Sequence, residues 1–166
     1  MFYPQLVAGP IERPQNLLHQ FHEEKYFEFN RIVIGLQQIV WGLFKKVVVS
    51  DVLAKYVDSI YNNYEVNTGF TLVFATYAFA FQIYCDFSGY SDIALGSAKV
   101  MGFNLMNNFS LPYFSKNITE FWRRWHISLS TWLRDYLYIS LGGNKKGKII
   151  TYRNLLITML LGGLWH

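Results

Sequence analysis

The sequence predicts an all-α, polytopic membrane protein, and three observations carry that reading. Residues 66 to 85 form twenty consecutive uncharged positions dominated by Phe, Tyr, Ala, Val and Leu, close to the ~20 needed to cross the hydrocarbon of a bilayer. Hydrophobic residues make up 52% of the 166 positions and aromatic ones 19%, while charged residues reach only 16%, against ~25% in an ordinary soluble domain. Finally, 14 Phe, 12 Tyr and 5 Trp bring more large apolar surface than so small a globule could hide from water. The net charge of +4 suits cytoplasmic loops beside anionic lipid and lacks the dense basic stripe of a nucleic-acid binder. Membrane lipid is thus an expected partner and nucleic acid is not. The single cysteine, Cys85, excludes an intrachain disulfide and a multi-thiolate metal site.

Each element follows from local chemistry. Residues 1 to 31 read as an irregular polar connection with one short helix, because Pro4, Gly9, Pro10 and Pro14 interrupt helical winding. A first membrane helix is expected near 32–50: thirteen uncharged residues run from Ile32 to Phe44, and Lys45 and Lys46 would snorkel to one interface. A second spans 66–85. Residues 86–102 form a third, distinct segment, since Asp86, Ser88, Ser91, Asp92 and Ser97 lie among glycines and apolar side chains and suit a polar-lined membrane interior. Residues 103 to 116 carry three asparagines and Pro112, a broken loop. Asn117 and Glu120 have the spacing of a helix cap, so a motif helix is predicted over 118–141, stopped by Gly142 and Gly143. Asn144 to Lys148 form a basic loop, and a final helix covers 150–166. It ends at Leu164-Trp165-His166 without a cap or a charged flank, which predicts a fragment of a longer protein.

Wound at 3.6 residues per turn, the motif helix would align Thr119, Trp122, His126, Leu129, Leu133 and Tyr136 on one stripe. Glu120 can pair with Arg123 or Arg124, and Thr131 can reach Asp135. An arginine or aspartate at the bilayer centre costs ~2.5 to 3.5 kcal/mol, so Arg123, Arg124, Arg134 and Asp135 require partners, water or an interfacial position. A helix lining a wet cavity meets that demand. Alone, His126 reads first as a hydrogen-bonded core histidine. A second histidine, His166, lies forty residues further on another apolar helix, and two imidazoles at membrane depth point to proton transfer. Two histidines with scattered carboxylates do not make a metal set. Asp86 and Asp92, six apart, fall on different faces of a continuous helix, and pairing with an arginine or a backbone amine is as good a reading as a catalytic role.

Other patterns fail on inspection. Gly142 to Lys148 has most of a phosphate-binding loop but places Ile149 where Ser or Thr must hold magnesium. His22-Glu23-Glu24-Lys25-Tyr26 lacks the second histidine of a zinc-protease helix. The acceptor patterns Asn108-Phe-Ser110 and Asn117-Ile-Thr119 are short enough to arise by chance.

Longer strings are specific. Phe121-Trp-Arg-Arg-Trp-His126-Ile-Ser-Leu-Ser130-Thr-Trp-Leu-Arg-Asp-Tyr136, the terminal Gly-Leu-Trp-His166, Phe81-Gln-Ile-Tyr-Cys-Asp86-Phe-Ser-Gly-Tyr-Ser-Asp92 and Pro4-Gln-Leu-Val-Ala-Gly-Pro10-Ile together resemble the membrane-bound O-acyltransferase (MBOAT) family over essentially the whole chain. The Gln-Leu-Val-Ala-Gly-Pro-Ile string and Tyr136 to Asn144 are most similar to its alginate-acetylating branch, with the teichoic-acid D-alanylating branch as a cousin. The resemblance implies a multi-helix enzyme enclosing a tunnel, with the family's invariant histidine at His166 and a second functional histidine at His126. Trp122, Arg123, Arg124, Asp86, Asp92 and Asp135 would line or support that tunnel. It implies an acyl donor as substrate (acetyl-CoA or an acyl-carrier thioester), with no bound cofactor. A donor or carrier protein and an extracellular acetyltransferase would be partners, and the site a bacterial inner membrane. Family members are far longer, so the 166 residues would be a central part of one MBOAT domain, inactive alone. A transporter segment remains the competing class, since it too places charged residues along a wet path, although the paired, broken spans of such proteins are not seen.

Overall fold

A computed structural model describes residues 2–6 and 9–165, and every described regular element is helical. The chain divides into two compact units, Met1–Met106 and Asn107–His166.

The first unit is built on a helical hairpin. Helix α2 (Phe29–Leu43) continues without a break through a π-wound stretch, Phe44–Ser50, into α3 (Asp51–Tyr61). After a turn, α4 runs over Gly69–Val100. The first helix therefore extends eleven residues beyond the expected 32–50, because Asp51, Lys55 and Asp58 share one face of α3 at offsets of four and three while Val57 and Ile60 on the opposite face are buried. The expected division between 66–85 and 86–102 does not occur: Asp86 to Ser97 lie inside one 32-residue helix. Asp86, Ser88 and Asp92 meet partners on α2 and on the π-wound stretch after it, so the polarity that suggested a break instead marks a helix–helix seam. Phe29–Tyr61 and Gly69–Val100 are each long and apolar enough to cross a membrane, and only 11% and 17% of their most apolar stretches are buried. A soluble core helix would be mostly buried; these present apolar side chains outward, as lipid-facing helices do. At 1.5 Å per residue each is about 50 Å long, longer than a ~30 Å hydrocarbon layer.

Glycine lets α2 and α4 approach closely. A Cβ at Gly35 would stand 2.9 Å from the Gly96 carbonyl oxygen, and one at Gly42 would stand 2.6 Å from that of Gly89. The two contacts lie seven residues apart on each helix and run in opposite senses, which fixes an antiparallel pair in one register. Ala75, Ala78, Ala94 and Ala98 complete a core of small side chains, and Tyr56 and Tyr61 pack edge-on against Phe74 and Phe79.

The polar N-terminal region is held to the loop after α4. Short helical turns over Tyr3–Gln5, Pro14–Leu17 (α1) and Leu18–Phe21 interrupt it. The buried Gln20 amide donates to the Asn104 carbonyl at 3.0 Å and accepts from the Asn104 N–H at 2.8 Å. Glu12 accepts from the Met106 N–H, and Phe2, Phe21 and Phe103 pack with centroids 4.8 to 5.4 Å apart.

In the second unit, α5 (Ile118–Arg124) and α6 (Ile127–Leu133) are followed by a π-wound turn, Arg134–Tyr138, and by α7 (Lys148–Trp165). The Gly142 and Gly143 pair ends the motif region as expected, with φ of 103° and 54°, values that favour glycine. Fully buried Asn154 of α7 donates to the Gly143 carbonyl at 2.9 Å and so ties that turn to the final helix.

Candidate functional site

The single motif helix expected over 118–141 is two short helices. Trp125 is extended (φ −104°, ψ 128°) and His126 left-handed (φ 44°, ψ 55°), so the imidazole-bearing residue stands at the head of α6 instead of midway along a stripe. The alignment of Thr119, Trp122 and His126 with Leu129, Leu133 and Tyr136 is accordingly lost. A non-glycine residue in this conformation costs ~1 to 3 kcal/mol and persists only where surrounding contacts over-determine it.

Those contacts come from Asn108 to Leu111. The Asn108 carbonyl accepts from the Ile127 N–H at 2.9 Å, and the Ser110 N–H donates to the Arg124 carbonyl at 3.0 Å. The break at Trp125 and His126 is therefore gripped on both sides by one extended segment. Asn108 Oδ1 also accepts from the Ser128 N–H (3.2 Å) and hydroxyl (2.6 Å), with both residues essentially inaccessible to solvent. Asn108 thereby caps α6 from outside the helix. Its burial removes it as a surface acceptor, whatever the Asn-Phe-Ser pattern suggests. Phe109, Tyr113, Phe121 and Trp125 pack the segment onto α5, with Phe121 stacked on Trp125 at 5.6 Å.

The charged residues sort by partner. Asn117 Oδ1 accepts from the Glu120 N–H at 2.8 Å, the cap its spacing predicts. Glu120 reaches back to the Lys116 N–H at 2.9 Å and binds Arg124 at 2.6 Å. The Lys116 N–H is the main reason its carboxyl lies below the ordinary carboxylate value; burial opposes the shift, and the Arg124 charge adds to it. Arg124 also donates to the Leu111 carbonyl at 3.5 Å, so of the two arginines open to Glu120 this one is the anchor. Arg123 is exposed at the last turn of α5, and Trp122 beside it is 41% exposed. Asp135 pairs with its neighbour Arg134 at 2.6 Å, and the Thr131 hydroxyl donates back to the Ile127 and Ser128 carbonyls. His166 lies outside the described residues.

Asp86 and Asp92 occur in the first unit, in a seam between α2 and α4. Asp92 pairs with Lys45, whose ammonium also donates to the Ser88 hydroxyl at 3.0 Å, and Gln38 donates to Asp92 at 3.3 Å. Asp86 pairs with Lys46. The partners are lysines, where an arginine or backbone amine was expected. Lys45 does not snorkel: its side chain is 13% exposed and points its charge into the hairpin. The π winding of Phe44–Ser50 allows consecutive lysines to reach carboxylates six residues apart, since i to i+5 bonding widens the turn. Sequence reasoning missed this seam, although part of the signal was available: two lysines inside an apolar run need counter-charges, and Asp86 and Asp92 are carboxylates that follow directly on the next apolar run. Among the described residues, no three His, Cys, Asp or Glu side chains converge.

Comparison with known proteins places the chain. The profile of MBOAT, the membrane-bound O-acyltransferase family, matches residues 1–166. The chain is 51% identical over 164 residues to the probable alginate O-acetylase AlgI of Pseudomonas fluorescens, covering 99% of this chain and 33% of that protein. It is 42% identical over 167 residues to the peptidoglycan O-acetyltransferase of Helicobacter pylori, covering 99% of this chain and 32% of that one. Identity to the teichoic acid D-alanyltransferase of Bacillus subtilis is 28% over 177 residues, covering all of this chain and 44% of the other. The chain thus spans about a third of the length of the O-acetylating relatives it matches. Two long apolar helices, the motif around a histidine set at a helix head and a family match over the full length agree: the chain belongs to the membrane-bound O-acyltransferase family.

Proposed function

We propose that the whole protein, in a bacterial inner membrane, moves an acyl group, acetyl by preference, to a hydroxyl for export and O-acetylation of an extracellular polysaccharide. The observation that carries this reading is the 51% identity, over 99% of the chain, to an alginate O-acetylase. Transfer of this kind needs a base of near-neutral pKa, which imidazole supplies. His166 takes the proton of the acceptor hydroxyl as that oxygen attacks the carbonyl carbon of a thioester donor. The tetrahedral oxyanion collapses, the carbon–sulfur bond breaks, and the imidazolium returns the proton to the departing thiolate. His126 orients the reactants or donates a hydrogen bond to the oxyanion, the latter role being worth roughly 10² to 10³ in rate. Trp122 and Arg123, exposed at the end of α5, face the donor. The donor is acetyl-CoA or an acyl-carrier thioester, handed over by a donor or carrier protein. An extracellular acetyltransferase completes delivery, and the 166 residues alone are inactive.

The experiment is acyl transfer in membranes holding the whole protein. Labelled acetyl donor, labelled D-alanyl carrier and a polysaccharide acceptor are supplied separately. Acetyl label reaching the acceptor hydroxyl, and falling by 10² or more in His166→Ala at equal abundance, is the expected result. Label moving only from the D-alanyl carrier would shift the substrate to teichoic acid chemistry. No covalent transfer from either donor would leave the transporter reading.

A further inference from the structure

We propose that Asn108 is a positioning residue for His126: its side-chain and backbone oxygens hold the residues after His126 so that the histidine stays left-handed at the head of α6. The inference rests on His126 having the role given above. Three donors converge on Asn108 from the first two residues of α6, the Ile127 N–H at 2.9 Å and the Ser128 N–H and hydroxyl at 3.2 and 2.6 Å. The histidine's own φ of 44° is a conformation that its sequence neighbours would not select. An ordinary cap lies within the chain at the position before the helix. Here that position is taken by His126, whose side chain makes no capping hydrogen bond, and the capping oxygen comes from a residue eighteen positions earlier. Asn108 and Ser128 are 0% and 1% exposed, so water cannot replace either partner, and removing Oδ1 would leave two donors unsatisfied and the left-handed turn unsupported.

The test uses the whole protein in native membranes, with Asn108→Ala and Ser128→Ala measured for kcat, for KM toward the acyl donor, and for the reactivity of each histidine toward diethyl pyrocarbonate, read by peptide mass spectrometry. Exposed His19 and His22 are internal controls. Expected for Asn108→Ala are a fall in kcat of tenfold or more, KM within twofold, and a threefold or greater change in the carbethoxylation rate of His126 with His19 and His22 unchanged. Ser128→Ala, which keeps the backbone donor, should show the same pattern at roughly a third of the size, and it decides the matter if Asn108→Ala fails to accumulate. Full kcat in an accumulating Asn108→Ala, or a lost kcat with His126 reactivity unaltered, overturns the proposal. Full activity in His126→Ala would instead remove the role assigned to the histidine, while altered His126 reactivity in Asn108→Ala would still establish the clamp.

Discussion

The two units handle charge in opposite ways. In the hairpin, Lys45, Lys46, Asp86 and Asp92 are matched between helices, through contacts 40 to 54 residues apart in sequence that include Gln38. In the motif unit Arg124 pairs with Glu120 four residues away and Arg134 with Asp135 next to it, and the long-range contacts at the break are made by neutral groups, Asn108 and Ser128. Interhelical ion pairs flanked by close glycine contacts fix one register and consume the charges that make them. Local pairs restrain only their own turn. Intramembrane charge is a functional signal by default, yet here both aspartates are engaged by lysines across the hairpin, and the broken helix carries the candidate histidine.

The largest effect should come from unbalancing the hairpin. Removing one partner of the Lys45 and Asp92 pair, as in Asp92→Ala, leaves an uncompensated charge and should cost about 3 to 5 kcal/mol, seen as loss of the whole protein from membranes. Lys45→Leu with Asp92→Leu should recover abundance, because a neutral pair needs no counter-charge. Next in size is Gly42→Ala, whose added carbon would meet the Gly89 carbonyl; separation of α2 and α4 should cost about 1 to 3 kcal/mol, read as a lower Tm in detergent, with Gly69→Ala, where a Cβ meets nothing within 4 Å, as the control.

These two experiments touch features of unequal legibility. The spans were visible as uncharged runs, and the Asn117 cap, the Gly142 and Gly143 stop and the Glu120 pairing all followed from spacing. The continuity of α4 was not, because Asp86 and Asp92 look like breaks until their lysines are known, and such pairing depends on a register that no local window contains. The Gly35, Gly42 and Gly89, Gly96 intervals would have supplied it. The fracture at His126 was hidden for a related reason: Phe121 to Tyr136 favours helix locally, and the competing hydrogen bonds come from Asn108, outside any helical window. Patterns of residues thus located the candidate motif, while its backbone geometry came from tertiary contacts.

Smaller effects test the division between the arginines. Arg124→Ala removes bonds to Glu120 and Leu111 and should lower stability by about 1 kcal/mol. Arg123→Ala should leave Tm unchanged and raise KM for an anionic donor. Smallest of all is a pH effect at Glu120. Its carboxyl is depressed in the folded state, first by the Lys116 N–H. Its stabilisation is therefore complete above the unfolded value near 4.5 and is lost as pH falls through the lower folded value. The Tm difference between the wild type and Glu120→Gln should be constant from pH 7 to 5 and shrink progressively as the pH falls below 4.5.

The most direct test of this division of labour is acyl-transfer activity per folded molecule, measured side by side for His126→Ala and for the Lys45→Leu, Asp92→Leu double variant of the whole protein. The account predicts a fall of roughly 10² or more for His126→Ala at unchanged abundance, and specific activity within a few-fold of wild type for the double variant. A double variant that folds but does not transfer, beside a His126→Ala that transfers normally, would contradict it.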